Sequence, residues 1–261
     1  MNAWVYSYDG GTAMMEAVKE RGLQLLSLLI LVLGWAAVSL VIGTNLVPPP
    51  NEVFPTAWER VISGEFRVPL FSSLQRLSIA FLLTMLAGTA LGIATARLEK
   101  FGTMSEALFT IIMTTPSLVI IFAAMMILGQ KDSTIILAAT LIVAPFVAVP
   151  MRDAMKDIDQ DILGMADSFK AGALRRVTDV YIPYLIPPLL ATSRIGFSLT
   201  WKMVIISEIF GFTSGIGWRI AQDYFRYNME SLIAWVVIFV AVVLVAEQLL
   251  RTFERTVVKW Q

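Results

Sequence analysis

Six long apolar stretches divide the chain, at roughly 23–43, 71–96, 104–128, 134–151, 183–206 and 231–253, with polar segments between them. Each is close to or above the about 20 residues that a helix needs to cross a bilayer core. Spanning segments must satisfy their backbone internally, so the pattern predicts an all-α polytopic membrane protein of about six transmembrane helices. Only Gly129-Gln130-Lys131-Asp132-Ser133 parts the third and fourth stretches, a tight hairpin loop. Thr114-Thr115-Pro116-Ser117 interrupts the third. Proline there frees a carbonyl and hydroxyls can re-satisfy the backbone; the break either kinks the helix or lines a pore. The fifth opens with Pro183, and Pro187 and Pro188 one turn further in predict a kink.

Three polar joints are longer than turns. Residues 44–70 carry Pro48-Pro49-Pro50 and a short amphipathic helix around Phe54–Ser63, and residues 207–230 carry Gly211, Gly215 and Gly217. Either both are surface connections, or they form the mouth of a pore and a seat for a substrate-delivering protein. The third joint, 152–182, is a charged amphipathic insert. Apolar residues recur there at Ile162, Met165, Ala166, Phe169, Ala173, Val177 and Val180, in steps of three and four that share a helical face. Asp167, Lys170, Arg175 and Asp179 fall mostly opposite, and Gly172 can split the insert into two short helices. Such a pair suits two places: the lipid interface, held by Lys170, Arg175 and Arg176 against anionic headgroups, or a cleft in a soluble partner. The chain thus divides into an N-terminal segment, 1–22, and one transmembrane domain, 23–261. The first apolar run is expected to stay as a membrane helix, because no small-residue cleavage site follows it.

Composition narrows the chemistry. Of the 261 residues 57% are hydrophobic and 15% charged, and the net charge is zero, which gives no electrostatic case for nucleic acid. Cysteine and histidine are absent, which excludes disulfides, thiolate or imidazole metal sites, cysteine nucleophiles and histidine bases. No metal site or catalytic constellation is expected. Basic residues set the orientation. With both termini in the cytoplasm, the inner side holds Lys19, Arg21, Arg97, Lys100, Arg152, Lys156, Lys170, Arg175, Arg176, Arg251, Arg255 and Lys259; the outer side holds Arg60, Arg67, Lys131, Arg219 and Arg226. The insert is then cytoplasmic.

Arg76, Arg194, Lys202 and Glu208 lie in or near the apolar stretches and are the candidates for pathway chemistry. A charge in hydrocarbon costs at least a few kcal/mol, so such residues face a cavity or a partner. Arg194 and Glu208 share a helical face but stand about 20 Å apart, too far to pair. Arg194 either bonds a neighbouring helix or, with Lys202, lends positive potential to a pore for anions. Lys202 and Glu208 are expected to snorkel to water near the outer end, and Arg76 to be interfacial. Trp201, with Phe210 and Phe212, either lines a gate or belongs to an interfacial aromatic belt.

The insert resembles the Glu-Ala-Ala loop of permease subunits of ATP-binding-cassette importers, whose pattern closes on Ile-x-Leu-Pro. Anchoring Tyr181-Ile182-Pro183 at that close puts Gly164-Met165-Ala166 at Glu-Ala-Ala and Lys170 at the usual glycine; the glutamate is absent and the glycine is lost or displaced to Gly172. Leu46-Val47-Pro48-Pro49-Pro50, Val53–Trp58, Ser73-Leu74-Gln75-Arg76, Arg194 with Trp201 and Glu208, Gly215-Ile216-Gly217-Trp218 and Phe253-Glu254-Arg255 with Trp260 resemble the nitrate/sulfonate/taurine/bicarbonate branch. The resemblance spans most of the chain. It implies a type I importer (MetI-like) bundle in the inner membrane, forming the alternating-access path for a small anion such as a sulfonate, taurine, nitrate or bicarbonate. It implies a second permease subunit, as homodimer or heterodimer, and a periplasmic or lipid-anchored solute-binding protein. Two cytoplasmic ATP-binding subunits would grip the insert through Met165, Ala166, Asp167, Phe169, Lys170, Gly172, Arg175 and Arg176. ATP and magnesium would be held there, with no cofactor in this chain, which has no G-x-x-x-x-G-K-[ST] phosphate loop. The rival is a self-sufficient secondary transporter or channel, which predicts transport by this chain alone.

Overall fold

The structure, a computed structural model, describes residues 10–169 and 172–257. Every regular element among them is helical: α1 (Gly10–Ile42), α2 (Pro50–Ser63), α3 (Arg67–Arg97), α4 (Glu99–Thr114), α5 (Ser117–Leu128), α6 (Asp132–Lys156), α7 (Gln160–Ser168), α8 (Ala173–Arg176), a π-helical turn (Val177–Tyr181), α9 (Ile182–Gly211), α10 (Ile216–Phe225) and α11 (Met229–Val257). Five segments are long and apolar enough to span, and α4 with α5 passes the same test as a pair bent by 99°.

The bend exceeds an ordinary kink, and its cause is local. Pro116 has no N–H to continue α4, and the Thr114 and Thr115 hydroxyls turn back to the carbonyls of Thr110 (2.7 Å) and Ile111 (2.6 Å). Packing then decides whether the pair crosses. The Thr140 hydroxyl reaches the Ala80 carbonyl at 3.5 Å, Gly88 lies against Ala144 and Val147, and Gly92 lies against Ala148 and Met151. Residue numbers rise together, so α3 and α6 run parallel and start on the same side. Only Leu98 separates α3 from α4. The bent pair must therefore carry the chain back across, as a broken span. Six passages result, with the insert on one side (the insert side) and α2, α10 and the Gly129–Lys131 turn on the other (the far side).

The core lies between α3, α6 and α9. Ile135, Ala139, Val143 and Val147 of α6 are completely buried. The α3–α6 seam is closer than side chains allow: a Cβ on Gly88 would sit 2.6 Å from the Val147 Cβ, and one on Gly92 2.6 Å from the Ala148 carbonyl oxygen. Small residues permit such backbone approach in membranes, where no hydrophobic force draws helices together. On the far side the predicted amphipathic helix is α2. Its Val53 and Ala57 pack on Trp235, and Arg60 lies 4.5 Å over the Trp235 ring while donating to the Ser231 carbonyl at 3.1 Å. α9 is helical through Pro187 and Pro188, and a π-helical turn lies immediately upstream of it.

The α3–α6 seam makes a direct prediction. Gly92→Leu should destabilise the detergent-solubilised protein by about 2–3 kcal/mol, because neither the Ala148 backbone nor Met151 can give way. Gly34→Leu in α1, which has nothing within 4 Å of the added Cβ, should be neutral in the same thermal-unfolding assay. Equal transition temperatures for the two variants would contradict the seam.

Candidate functional site

The membrane charges separate into two groups. Arg76 and Glu208, expected at the interface and in water, are both enclosed: Arg76 is 3% exposed and Glu208 0%. Each has burial-compatible partners that the sequence hides. Glu208, on α9, accepts from the Ser73 hydroxyl (2.7 and 2.9 Å), from Arg76 Nη1 (2.6 Å) and from the Gly217 N–H (3.0 Å). Ser73 in turn accepts the Ile216 N–H at 2.9 Å. Arg76, on α3, donates to the Ser214 carbonyl (3.0 Å) and hydroxyl (2.5 Å), and its Nε to Asp132 Oδ1 (3.0 Å). Its guanidinium also lies 5.2 Å from the Phe212 ring centroid.

The cluster thus joins α3, α9, the 212–215 loop and the first residue of α6. Glycine is required where the loop folds over it. Gly215 has φ +101°, and a Cβ there would come within 2.3 Å of the Glu208 carboxyl carbon. Gly217 is as tight, at 2.6 Å from both the Glu208 Cβ and the Ile205 carbonyl. Glu208 is a structural keystone of the far side and does not line an open path.

Arg194 and Lys202 are different. Both are exposed, and with half-buried Ser198 they form a polar stripe at steps of four along one face of α9. Lys202 stands nine residues, about 14 Å, below the far-side end of α9. Its Nζ lies 5.7 Å from the Trp201 ring. Trp201 itself turns against Phe239, with ring centroids 5.2 Å apart. Arg194 borders a cavity of about 290 Å³ between α9 and α11.

The insert is built as two parts. Its base is fastened to the bundle: Ile158 is 3% exposed, Leu163, Val180 and Tyr181 pack on the cluster around Met151 and Leu185, and the Tyr184 hydroxyl donates to the Asp157 carbonyl at 2.9 Å. Its tip is bare: Met165 is 58% exposed, Phe169 80% and Leu174 77%. The single apolar face expected from periodicity is therefore divided between bundle and surroundings. Gly172 ends the break between α7 and α8 with extended backbone (ψ 161°), as expected of the splitting residue. Arg175 is exposed and Arg176 half-buried. Ala166 and Asp167 lie on α7, and Lys170 falls outside the described residues.

A helical bundle with six passages, a broken span and a polar insert fastened at its base defines a multi-pass membrane protein. The chain belongs to the family of binding-protein-dependent transport system inner membrane components, whose profile matches residues 88–259. It is 24% identical over 240 residues to a probable ABC transporter permease of Brucella abortus (strain 2308), covering 92% of this chain and 96% of the relative. A putative aliphatic sulfonates transport permease of Bacillus subtilis (strain 168) is 22% identical, covering 85% and 80%. The taurine transport system permease of Escherichia coli (strain K12) is 21% identical, covering 88% and 86%. The fold matches the inward-facing MetNI methionine ABC transporter with a TM-score of 0.63 at 18% identity, over 72% of this chain and 94% of that one. The MetI-like bundle and the permease class expected from the sequence are thereby established.

Removing the Glu208 side chain leaves Arg76 buried without its main counter-charge. Glu208→Ala should cost about 3–5 kcal/mol of stability, and Glu208→Gln clearly less, because an amide oxygen keeps acceptors for Ser73 and Gly217. Thermal unfolding in detergent measures both; an unshifted Glu208→Ala would show that the cluster carries no structural weight.

Proposed function

We propose that the chain is one of two copies of a permease subunit in an ATP-driven importer of small anions. The insert side faces the cytoplasm, which puts both chain ends there, in line with its twelve basic residues against five. Two ATP-binding subunits hold the inserts, and a solute-binding protein delivers to the far side over α2 and α10. Cargo passes along the uncovered face of α9, between the two copies.

The bare apolar tip of the insert carries this reading. Phe169 and Leu174 protrude from a segment whose base is packed into α6 and α9. A rigid base and a bare tip suit a lever seated in a protein cleft. An interfacial helix pair would instead lie flat with its whole apolar face in lipid. The cationic stripe of Arg194 and Lys202, with relatives named for sulfonate, taurine and nitrate transport, supports an anion as cargo.

Phe169→Asp with Leu174→Asp should abolish copurification of the ATP-binding subunits and lower solute-stimulated ATP turnover at least about tenfold, as expected when anchors of a buried interface are made charged. Thermal stability of the permease alone should be unchanged. Full copurification and turnover in the double variant would overturn the lever.

A further inference from the structure

We propose that the cleft between α4 and α6 on the insert side holds the headgroup of a zwitterionic phospholipid with a primary amine, of the phosphatidylethanolamine class. The inference is independent of the cargo and of what grips the insert.

Two glycines shape the cleft. α6 rides against α3 at Gly92, and α4 rides against α3 at Gly102, where a Cβ would come 2.5 Å from the Thr95 carbonyl oxygen. α3 therefore forms the floor, with Thr95 and Ala96, while α4 and α6 form two walls around a cavity of about 300 Å³. That volume is in the range of small-ligand sites. The cavity lies where α3 ends at Arg97, α4 starts at Glu99 and α6 ends at Lys156. For helices that span a bilayer, this is the depth of the headgroups.

The walls carry opposite charge. Glu99 and Glu106 line the cleft from one face of α4, and Arg152 and Lys156 line it from one face of α6. Among the described residues no ion pair joins the walls; the Arg152 Nε turns to its neighbour Asp153 at 3.0 Å. Two anionic and two cationic groups thus border one space without meeting, which leaves room for a ligand that carries both charges. Their sum is zero, so a ligand of net charge gains nothing overall. A zwitterion instead sets its phosphate against α6 and its ammonium against α4, and both contacts are charge-assisted hydrogen bonds. A primary ammonium offers three donors to the carboxylates. A quaternary ammonium has no N–H to donate and is recognised by aromatic rings, of which the lining has none.

Soluble phosphoethanolamine has the same head chemistry. The surface of α4 beside the charged row favours the lipid. Phe101, Met104 and Leu108, at steps of three and four, are exposed there, and Leu98 is exposed just before them. These side chains give acyl chains an apolar surface to lie on, which a soluble zwitterion would leave unused.

The test is native mass spectrometry of the full chain in detergent, offered equal amounts of dioleoyl phosphatidylethanolamine, phosphatidylcholine and phosphatidylglycerol. The ethanolamine lipid should be retained at least about tenfold over either of the others, and stepwise N-methylation of its amine should weaken retention in order. Glu99→Gln with Glu106→Gln should remove the preference over phosphatidylcholine, and Arg152→Gln with Lys156→Gln should lower retention of both zwitterionic lipids. No ion pair across the cleft is lost in these variants, so their transition temperatures without lipid should match the wild type. Equal retention of the ethanolamine and choline lipids by the wild type overturns the site, as does a preference that survives the paired glutamate substitution. The methylation series uses the wild type alone and decides the matter where a variant fails to fold. Preferential retention of phosphatidylglycerol marks general attraction to basic side chains and overturns the site. Displacement of the lipid by an equal concentration of phosphoethanolamine assigns the cleft to a soluble zwitterion and overturns it too.

Discussion

A carboxylate with no exposed surface has to be surrounded by donors, and the far side of this protein is arranged to meet that need at Glu208. Ser73 and Arg76 come from α3, the Gly217 N–H from the start of α10, and the loop between them folds over the carboxylate because Gly215 and Gly217 have no side chain to obstruct it. Through Arg76 the same cluster reaches Asp132, at the head of α6. Four separate pieces of chain share one charge balance. The far-side ends of α3, α6 and α9 are consequently fixed relative to one another.

The middle of the bundle relies on a different force. Between α3 and α6 the backbones touch at Gly88 and Gly92, so dispersion and close approach hold the two helices together. That seam is parallel, and its direction is what turns α4 and α5 into a crossing despite the bend at Pro116. On the insert side, Ile158, Leu163 and Tyr181 fasten the insert base to Met151 of α6 and Leu185 of α9. The insert base is thus packed directly on α6 and on α9, the helix that carries the polar stripe.

The two groups of membrane charges follow a common rule with opposite outcomes. Arg76 and Glu208 neutralise each other inside the fold and serve architecture. Arg194 and Lys202 instead stand exposed on one face of α9. Treating all four as pathway residues merges two physical roles that burial alone distinguishes.

Much was legible before any coordinates. Apolar runs of bilayer length, the hairpin at Gly129, the helix at Phe54–Ser63, the division of the insert at Gly172 and the bias of basic residues follow from local chemistry: what lipid demands of the backbone, what proline and glycine permit, and where lysine and arginine settle. The sequence also marked Arg76 and Glu208 as residues in need of an explanation. It could not supply one, because they stand 132 positions apart and their pairing depends on how α3 and α9 pack. For the same reason the severity of the bend at Pro116, the inward turn of Trp201 and the division of the insert face between bundle and exposed tip were settled only by tertiary structure. Periodicity tells which residues share a face, whereas the neighbour that covers the face comes from elsewhere in the chain.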